Sequence, residues 1–328
     1  MSATFDARAE VDAVPARGYR WWYVDGLSDD GRRGFTAIFM FGHVFSPWRA
    51  RRVRRGETVL AREHLGVHVA LYEDDREVAW TMSEYGAAAI ETSHDRLRLG
   101  GSVLRAAGDG AVAGTIDERA APIFWSRAFG LGGAMRGTFA LTPTGPPPPA
   151  DFEIGRSAAD EAHRWQVRIP SGRIRVEFDA PRFSFEGRGY HDTNWGEGRL
   201  EDAFARWSWA RFHEADRSQI LYGVEGRDGA RRGFYVEAGA GRAGEARQTG
   251  DVHFGAPEPT GWGLRAPRGF ELEGAGRADV VRWLDRTPFY ARYVARLGGV
   301  EGVGEFLDLD RLQRPTVQFL LRWRGHRS

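Results

Sequence analysis

Residues 173–179 read Arg-Ile-Arg-Val-Glu-Phe-Asp, charged and apolar at every alternate step. Period-two alternation puts one face of a strand into a core and the other into water, and a helix cannot satisfy it. The pattern resumes after Pro181, where Phe183 and Phe185 alternate with Ser184 and Glu186. Residues 36–41 are a short apolar run, as expected of a strand buried on both faces. Residues 67–72, 219–224, 233–236 and 316–323 read as further strands. Turn signals separate such runs: Ser28-Asp29-Asp30-Gly31, Gly108-Asp109-Gly110 and Arg227-Asp228-Gly229. Gly accounts for 43 of 328 residues, beside 12 Trp and 20 Phe, which suits a turn-rich β protein with an aromatic interior. The best helical stretch is 277–297, with Val280, Val281, Leu284, Tyr290, Tyr293, Val294 and Leu297 partly on one face and Pro288 splitting it.

Charge and composition exclude several classes of function. With 46 basic against 45 acidic residues the formal charge is +1, so nothing in the overall charge argues for nucleic-acid binding. Every basic residue apart from His is Arg, and there is no Cys, which removes disulfides, thiol catalysis and thiolate metal sites. His64 and His68 are four apart on a strand-like segment, about 13 Å from each other, too far to share a metal. There is no phosphate loop, no dinucleotide fingerprint and no Gly-x-Ser-x-Gly elbow. No apolar run reaches the length of a membrane span. The first residues carry acids and no apolar core segment, so they are read as no secretory signal and the protein is expected in the cytoplasm.

Residues 1–17 look like a flexible leader. Proline-rich residues 143–150 are stiff and extended and belong in a long loop rather than in a sheet. An internal repeat argues for the boundary elsewhere. Trp21-Trp22-Tyr23 opens one stretch, followed by a turn and the 36–41 strand. Trp207-Ser208-Trp209 opens another 186 residues later, followed by the 219–224 strand. Two related β units are therefore expected, residues 18–198 and 199–328, the proline run being a loop of the first.

The densest chemical cluster is Gly187-Arg188-Gly189-Tyr190-His191-Asp192-Thr193-Asn194-Trp195-Gly196. In an extended chain Tyr190, Asp192 and Asn194 share one face. Polar residues between glycines also suit a plain hairpin end. His163 and Trp165 share a face upstream, and hairpin pairing would bring that face near Tyr190 and Asp192; a surface His beside a packing Trp is the simpler alternative. Trp21, Tyr23 and Asp25 share a face too, an odd place for a carboxylate unless it borders a cavity or caps the turn. His43 follows a buried strand and reads as a core or rim histidine. The arginine-rich run at 49–55 reads as a solvated loop or a contact for anionic head groups.

On these residues the chain resembles the carotenoid 1,2-hydratase (hydroxyneurosporene synthase) family. The resemblance lies in Trp21-Trp22-Tyr23-Val24-Asp25 with its turn, Val44-Phe45-Ser46-Pro47, Gly189-Tyr190-His191-Asp192-Thr193-Asn194, Leu200-Glu201-Asp202-Ala203-Phe204 and Thr287-Pro288-Phe289-Tyr290-Ala291-Arg292. It spans about residues 18–325. It implies a mainly β fold of two lipocalin-like antiparallel barrel or sandwich units with few short helices. It also implies cofactor-free addition of water to the terminal carbon 1–carbon 2 double bond of an acyclic carotenoid such as neurosporene or lycopene. Carried over residue by residue, Asp192 is the acid, Tyr190 its partner, and His163 and Trp165 match an upstream His-x-Trp pair. His191 departs from the family pattern, which has an apolar residue there.

The chemistry asks for a strong, buried acid, because an isolated alkene is a very weak base. Burial can keep a carboxyl protonated near neutral pH. Protonation at carbon 2 leaves a tertiary cation at carbon 1, which aromatic faces such as Trp165 and Tyr190 stabilise. His163 is expected to orient the water, accept its proton or orient Asp192. Trp21, Tyr23, His191, Asn194 and Trp195 are expected to contact substrate, inside a barrel. No cofactor and no metal are expected. The partners expected are the carotenoid and water, with transient docking on the inner or photosynthetic membrane through 49–55 or through 280–297 with Trp283 and Phe289. Two other functions fit the same fold: a cyclase or isomerase of another polyene or polyketide, and a non-catalytic pigment carrier.

Overall fold

The computed structural model describes residues 5–119, 133–147, 151–214, 217–239, 242–324 and 326–327. It is mostly β, built as two large curled antiparallel sheets with a few short helices. At the centre of the first sheet Tyr19–Ser28 lies between Arg33–Phe41 and Phe183–Gly196. Leu65–Glu73 and Arg76–Tyr85 follow on one side, and Ala162–Ala180, Ala134–Pro143 and Val112–Arg119 on the other. In the second sheet Phe204–His213 lies in the same way between Arg217–Gly226 and Val300–Asp308, with Arg231–Gly239 and Tyr290–Leu297 next outward. The chain passes from one sheet to the other between Gly196 and Phe204.

Each sheet curls round its own core. Trp22, Val24, Phe35, Phe39 and Phe139 pack inside the first, and Phe212, Leu221, Phe270, Tyr293 and Phe306 inside the second. Glu118 helps to draw the first sheet round. It accepts hydrogen bonds from Ser83, from Ser102 (2.6 Å) and from Tyr85 (2.7 Å), tying together strands far apart in the sheet order. The alternating residues 173–179 behave as their pattern requires, with Ile174, Val176 and Phe178 buried and the charged residues exposed. In the 36–41 run, Ala37, Phe39 and Phe41 enter the first core, while Met40 and Ile38 face the second sheet.

The two sheets meet on their other faces, at one further apolar cluster. There the repeated residues touch their own counterparts. Trp21 stacks on Trp207 at 6.3 Å, Tyr23 meets Trp209 edge-on at 5.6 Å, and Asp25 Oδ1 lies 2.7 Å from Arg211 Nε. Asp25 is fully buried and also pairs with Arg292 (Oδ2 to Nη2, 3.2 Å).

Several sequence expectations are corrected. Residues 277–297 are strands, Gly276–Arg286 and Tyr290–Leu297, turning at Thr287-Pro288. Tyr290–Leu297 pairs with Val300–Asp308, and this pairing overrides a weak helical pattern. Residues 316–323 belong to a helix, Pro315–Arg324, whose Val317, Leu320 and Leu321 have helical spacing on one face. The end of the chain then returns to the first sheet, His326–Arg327 pairing in parallel with Ser83-Glu84. Residues 5–17 are no loose leader. Ala7–Asp12 is a helix capped by Asp6. Glu10 accepts from Trp22 Nε1 (2.7 Å) and pairs with Arg20 (3.1 Å) and Arg168 (2.9 Å), two nearly buried cations that need a carboxylate. The 49–55 run is mostly the helix Pro47–Arg54, with Arg49 buried 3.9 Å from Glu201. Of the proline run at 143–150, residues 148–150 lie outside the described residues.

Removing one partner of a buried ion pair leaves an uncompensated charge and costs about 3–5 kcal/mol. Asp25→Leu should lower urea stability by about that amount. The double variant Asp25→Leu with Arg211→Met should lose less than the two single losses summed; strict additivity would show that the pair does not couple the sheets.

Candidate active site

A cavity of about 770 Å³ lies between the two sheets. It is walled by Trp21, Tyr23, Asp192 and Asn194 of the first sheet and Trp207, Trp209, Tyr222 and Glu305 of the second. The expectation of a site within a barrel is therefore corrected: both interiors are filled by their own cores, and the open space uses the faces left over.

The strand Phe183–Gly196 brings Asp192 and Asn194 to this wall and Tyr190 just behind it, one face at period two. Asp192 Oδ2 accepts the Tyr190 hydroxyl at 2.8 Å and Trp165 Nε1 at 2.9 Å. Both donors are fully buried, so Oδ2 is turned into the protein. Oδ1 is buried too and has no hydrogen-bond partner, on a side chain that lines the cavity. Burial pushes the Asp192 carboxyl up to about 7, against the pull of the two hydrogen bonds, with Glu305 and Asp25 adding repulsion. Because Oδ2 already accepts twice, a proton on this carboxyl sits on Oδ1.

Glu305 occupies the matching place in the second unit. Asp192 lies opposite Tyr23 and Glu305 opposite Trp209, and Tyr23 and Trp209 are themselves repeat counterparts. The neighbours on the next strand differ: Val167 beside Asp192, Arg292 beside Glu305. Glu305 Oε1 binds the Arg292 guanidinium and accepts the Tyr23 hydroxyl at 2.9 Å. Burial pushes Glu305 up, and Arg292 and Tyr23 pull it back without cancelling the rise.

The remaining sequence-expected residues divide cleanly. Trp21, Tyr23, Asp192 and Asn194 reach the cavity. Trp165 and Tyr190 stand behind Asp192 and do not line it, so they hold the acid rather than face a substrate. His163 lies elsewhere, its Nδ1 3.0 Å from the Tyr19 hydroxyl and its ring against Phe204. A Cβ on Gly196 would come within 2.4 Å of that Nδ1, so the glycine makes room for the imidazole. Burial pushes His163 down to about 4, which leaves it neutral. It supports the wall through Tyr19, which stacks on Trp21 at 5.0 Å. His191 and Trp195 point to the opposite face of the strand. His191 Nδ1 is 2.8 Å from the Tyr23 carbonyl, and Arg20 lies over the Trp195 ring at 4.6 Å. The period of two that selects Asp192 and Asn194 excludes both.

Trp207, Trp209, Tyr222 and Glu305 were not singled out as site residues from the sequence. The Trp207-Ser208-Trp209 repeat carried the available signal, since related units that pair back to back place counterparts face to face. At the mouth are Trp262 and Phe319, 57% and 64% exposed. The expected docking residues differ: Phe289 is buried in the wall and Trp283 packs edge-on against Tyr293. Among the described residues no cluster of three His, Asp or Glu side chains is placed to hold a metal, and no helix is long and apolar enough to cross a membrane.

Fold and site together define a paired lipocalin-like protein with an aromatic ligand cavity built round one buried acid. Residues 37–328 match the carotenoid hydratase CrtC family, and the chain belongs to that family. It is 36% identical to an acyclic carotenoid 1,2-hydratase of Thiocapsa roseopersicina over 94% of this chain and 72% of the relative. It is 33% identical to the protein of the same name from Rubrivivax gelatinosus, over 95% and 74%. Among solved structures, an AttH protein of Nitrosomonas europaea superposes with a TM-score of 0.62 at 16% identity, covering 89% of this chain and 92% of the other. Kievitone hydratase of Nectria haematococca superposes at 0.52 with 9% identity, covering 94% and 97%. These two likenesses concern the fold.

The raised Asp192 value has a direct optical consequence. A protonated-carboxyl infrared band, absent from Asp192→Asn, should fade as pH rises through about 7. The native state keeps this proton above the ordinary Asp value of 3.8 and the unfolded chain does not. The site's contribution to stability therefore falls between that value and about 7, and is level on either side. A band lost already near the ordinary value would contradict the burial argument.

Proposed function

We propose that this protein is an acyclic carotenoid 1,2-hydratase, adding water to the terminal carbon 1–carbon 2 double bond without a cofactor. The observation that carries the reading is the Asp192 carboxyl at the wall of an aromatic cavity: one oxygen locked by Trp165 and Tyr190, the other without a partner, and a proton affinity close to neutrality. Such a group is an acid aimed at an apolar substrate. Oδ1 delivers its proton to carbon 2 of the alkene, and the π electrons form the new C–H bond. The cation at carbon 1 then lies among Trp21, Trp207, Trp209 and Tyr23, whose ring faces attract positive charge. Each well-placed ring is worth about 2 kcal/mol when desolvated. Water adds to carbon 1, and its proton returns to the Asp192 carboxylate.

The substrate must leave a bilayer to enter this cavity. In our reading the mouth itself meets the membrane, with Trp262 and Phe319 at its rim and the exposed Arg286 beside them for anionic head groups. Such docking fits a cytoplasmic protein peripheral to the inner or photosynthetic membrane.

Purified protein incubated with lycopene in liposomes and water enriched in heavy oxygen should yield a pigment carrying one heavy hydroxyl. Asp192→Asn should lower that yield by about 10²–10⁴-fold while leaving the fold intact. The wild-type rate should be level at low pH and fall about tenfold per pH unit above about 7, as the acid loses its proton. Pigment recovered unchanged but bound would point to a carrier. A rearranged pigment formed equally by Asp192→Asn would point to a cyclase or isomerase. For the membrane step, the pair Trp262→Ser and Phe319→Ser should reduce co-sedimentation with anionic liposomes several-fold; sedimentation equal to wild type would place the docking face elsewhere.

A further inference from the structure

The hydration reading needs a water molecule held beside a cation in a largely apolar space. His163, the sequence-based candidate for handling it, does not line the cavity. Away from residues 285–287 at the mouth, the carboxyl and carboxamide groups on the wall are Glu77, Asp192, Asn194 and Glu305. Glu77 belongs to Arg76–Tyr85, separated from the Asp192 strand by three intervening strands. Glu305 already has Oε1 occupied by Tyr23 and Arg292.

Asn194 differs from all of these. It is 4% exposed, it lines the cavity, and its Oδ1 is buried with no hydrogen-bond partner. A buried carbonyl left unpaired is costly, and such groups are usually met by an ordered water. Asn194 sits two residues from Asp192 on the same strand face, so their backbones are about 6.6 Å apart. Each of the two side chains carries one buried oxygen without a partner, and a single water held between them would satisfy both.

We propose that Asn194 is the positioning residue for the reacting water, holding it between its carboxamide oxygen and Oδ1 of Asp192. The inference rests on the hydration reading. The balance closes on one strand. Asp192 gives its proton to carbon 2, and the π pair forms the C–H bond. A lone pair of the held water forms the C–O bond at carbon 1, and the oxonium returns a proton to Asp192. Alkene and water become a tertiary alcohol with the acid regenerated. Because acid and water lie on the same wall, hydrogen and hydroxyl add to the same face of the double bond.

Without the held water the cation has another exit. The Asp192 carboxylate recovers a proton from carbon 2 or from a terminal methyl, and an alkene is reformed. In deuterated water that futile cycle leaves deuterium in unhydrated pigment. The experiment therefore incubates wild type, Asn194→Leu, Asn194→Ser and Asp192→Asn with lycopene in detergent micelles in deuterated water. It measures deuterium in the recovered alkene against alcohol formed. Asn194→Leu should lower alcohol formation about 100-fold, the scale of a misplaced reactant, while deuterium in the alkene persists, so the ratio rises. Asn194→Ser, which keeps a small hydrogen-bonding group, should move the ratio back toward wild type. Alcohol and exchange falling together in both variants would make Asn194 merely structural, and unchanged alcohol formation would equally overturn the proposal. Asp192→Asn should lose both signals; if it keeps both, the acid assignment has failed, a result distinct from any failure of Asn194.

Discussion

Asp25 and Arg211 are repeat counterparts that meet in the dark centre of the molecule, and most of the site depends on that meeting. A carboxylate at 0% exposure and a guanidinium at 1% are tolerable only against each other. Apolar contacts alone would let one aromatic face slide over the other at little cost. The ion pair does not, because a shift of one strand residue would leave two buried charges apart. With Arg292 and Glu305 joining the pair, two acids and two bases close a buried network that spans both sheets. Tyr23 reaches into it through Glu305, so the wall of the cavity inherits its register from the charges behind it.

The duplication also shows how one backbone position yields two kinds of carboxyl. Asp192 and Glu305 stand at equivalent points of equivalent strands. The difference lies on the neighbouring strand, where Val167 faces one and Arg292 the other. Next to valine, Asp192 has neutral donors only, on one oxygen, and burial drives it toward the protonated form. Next to arginine, Glu305 has a cation at contact distance and belongs to an ion-pair network. A carboxyl held by neutral donors and one held in an ion-pair network thus stand at equivalent positions, set by the residue beside each.

What was legible in the sequence follows from the period of two. Alternation put Tyr190, Asp192 and Asn194 on one face, and Trp21, Tyr23 and Asp25 on another, and the structure places them so. The same rule, applied to His191 and Trp195, places them on the far face, and including them relied on proximity in sequence instead. His163 shares its face with Trp165, but a strand carries each second residue about 6.6 Å further along, and that distance takes it out of the site. Helix and strand were exchanged at 277–297 and 316–323 because short apolar segments carry weak periodicity, and pairing partners decide. Glu10 was illegible for another reason: its burial is dictated by Arg20 together with Arg168, the latter distant in sequence.

Placing the cavity between the sheets separates the demands of folding from those of chemistry. A ligand site inside a barrel removes core, and the remaining packing must compensate. Here each sheet keeps an unbroken interior, and the ligand uses faces that would otherwise be plain interface. The cost falls on the contact between the units, which must stay fixed while enclosing empty space. That requirement returns to the buried ion pairs, since charges that cannot part fix the position of one aromatic wall against the other. The opposing wall is mostly aromatic, with Trp207, Trp209 and Tyr222 beside the ion-paired Glu305.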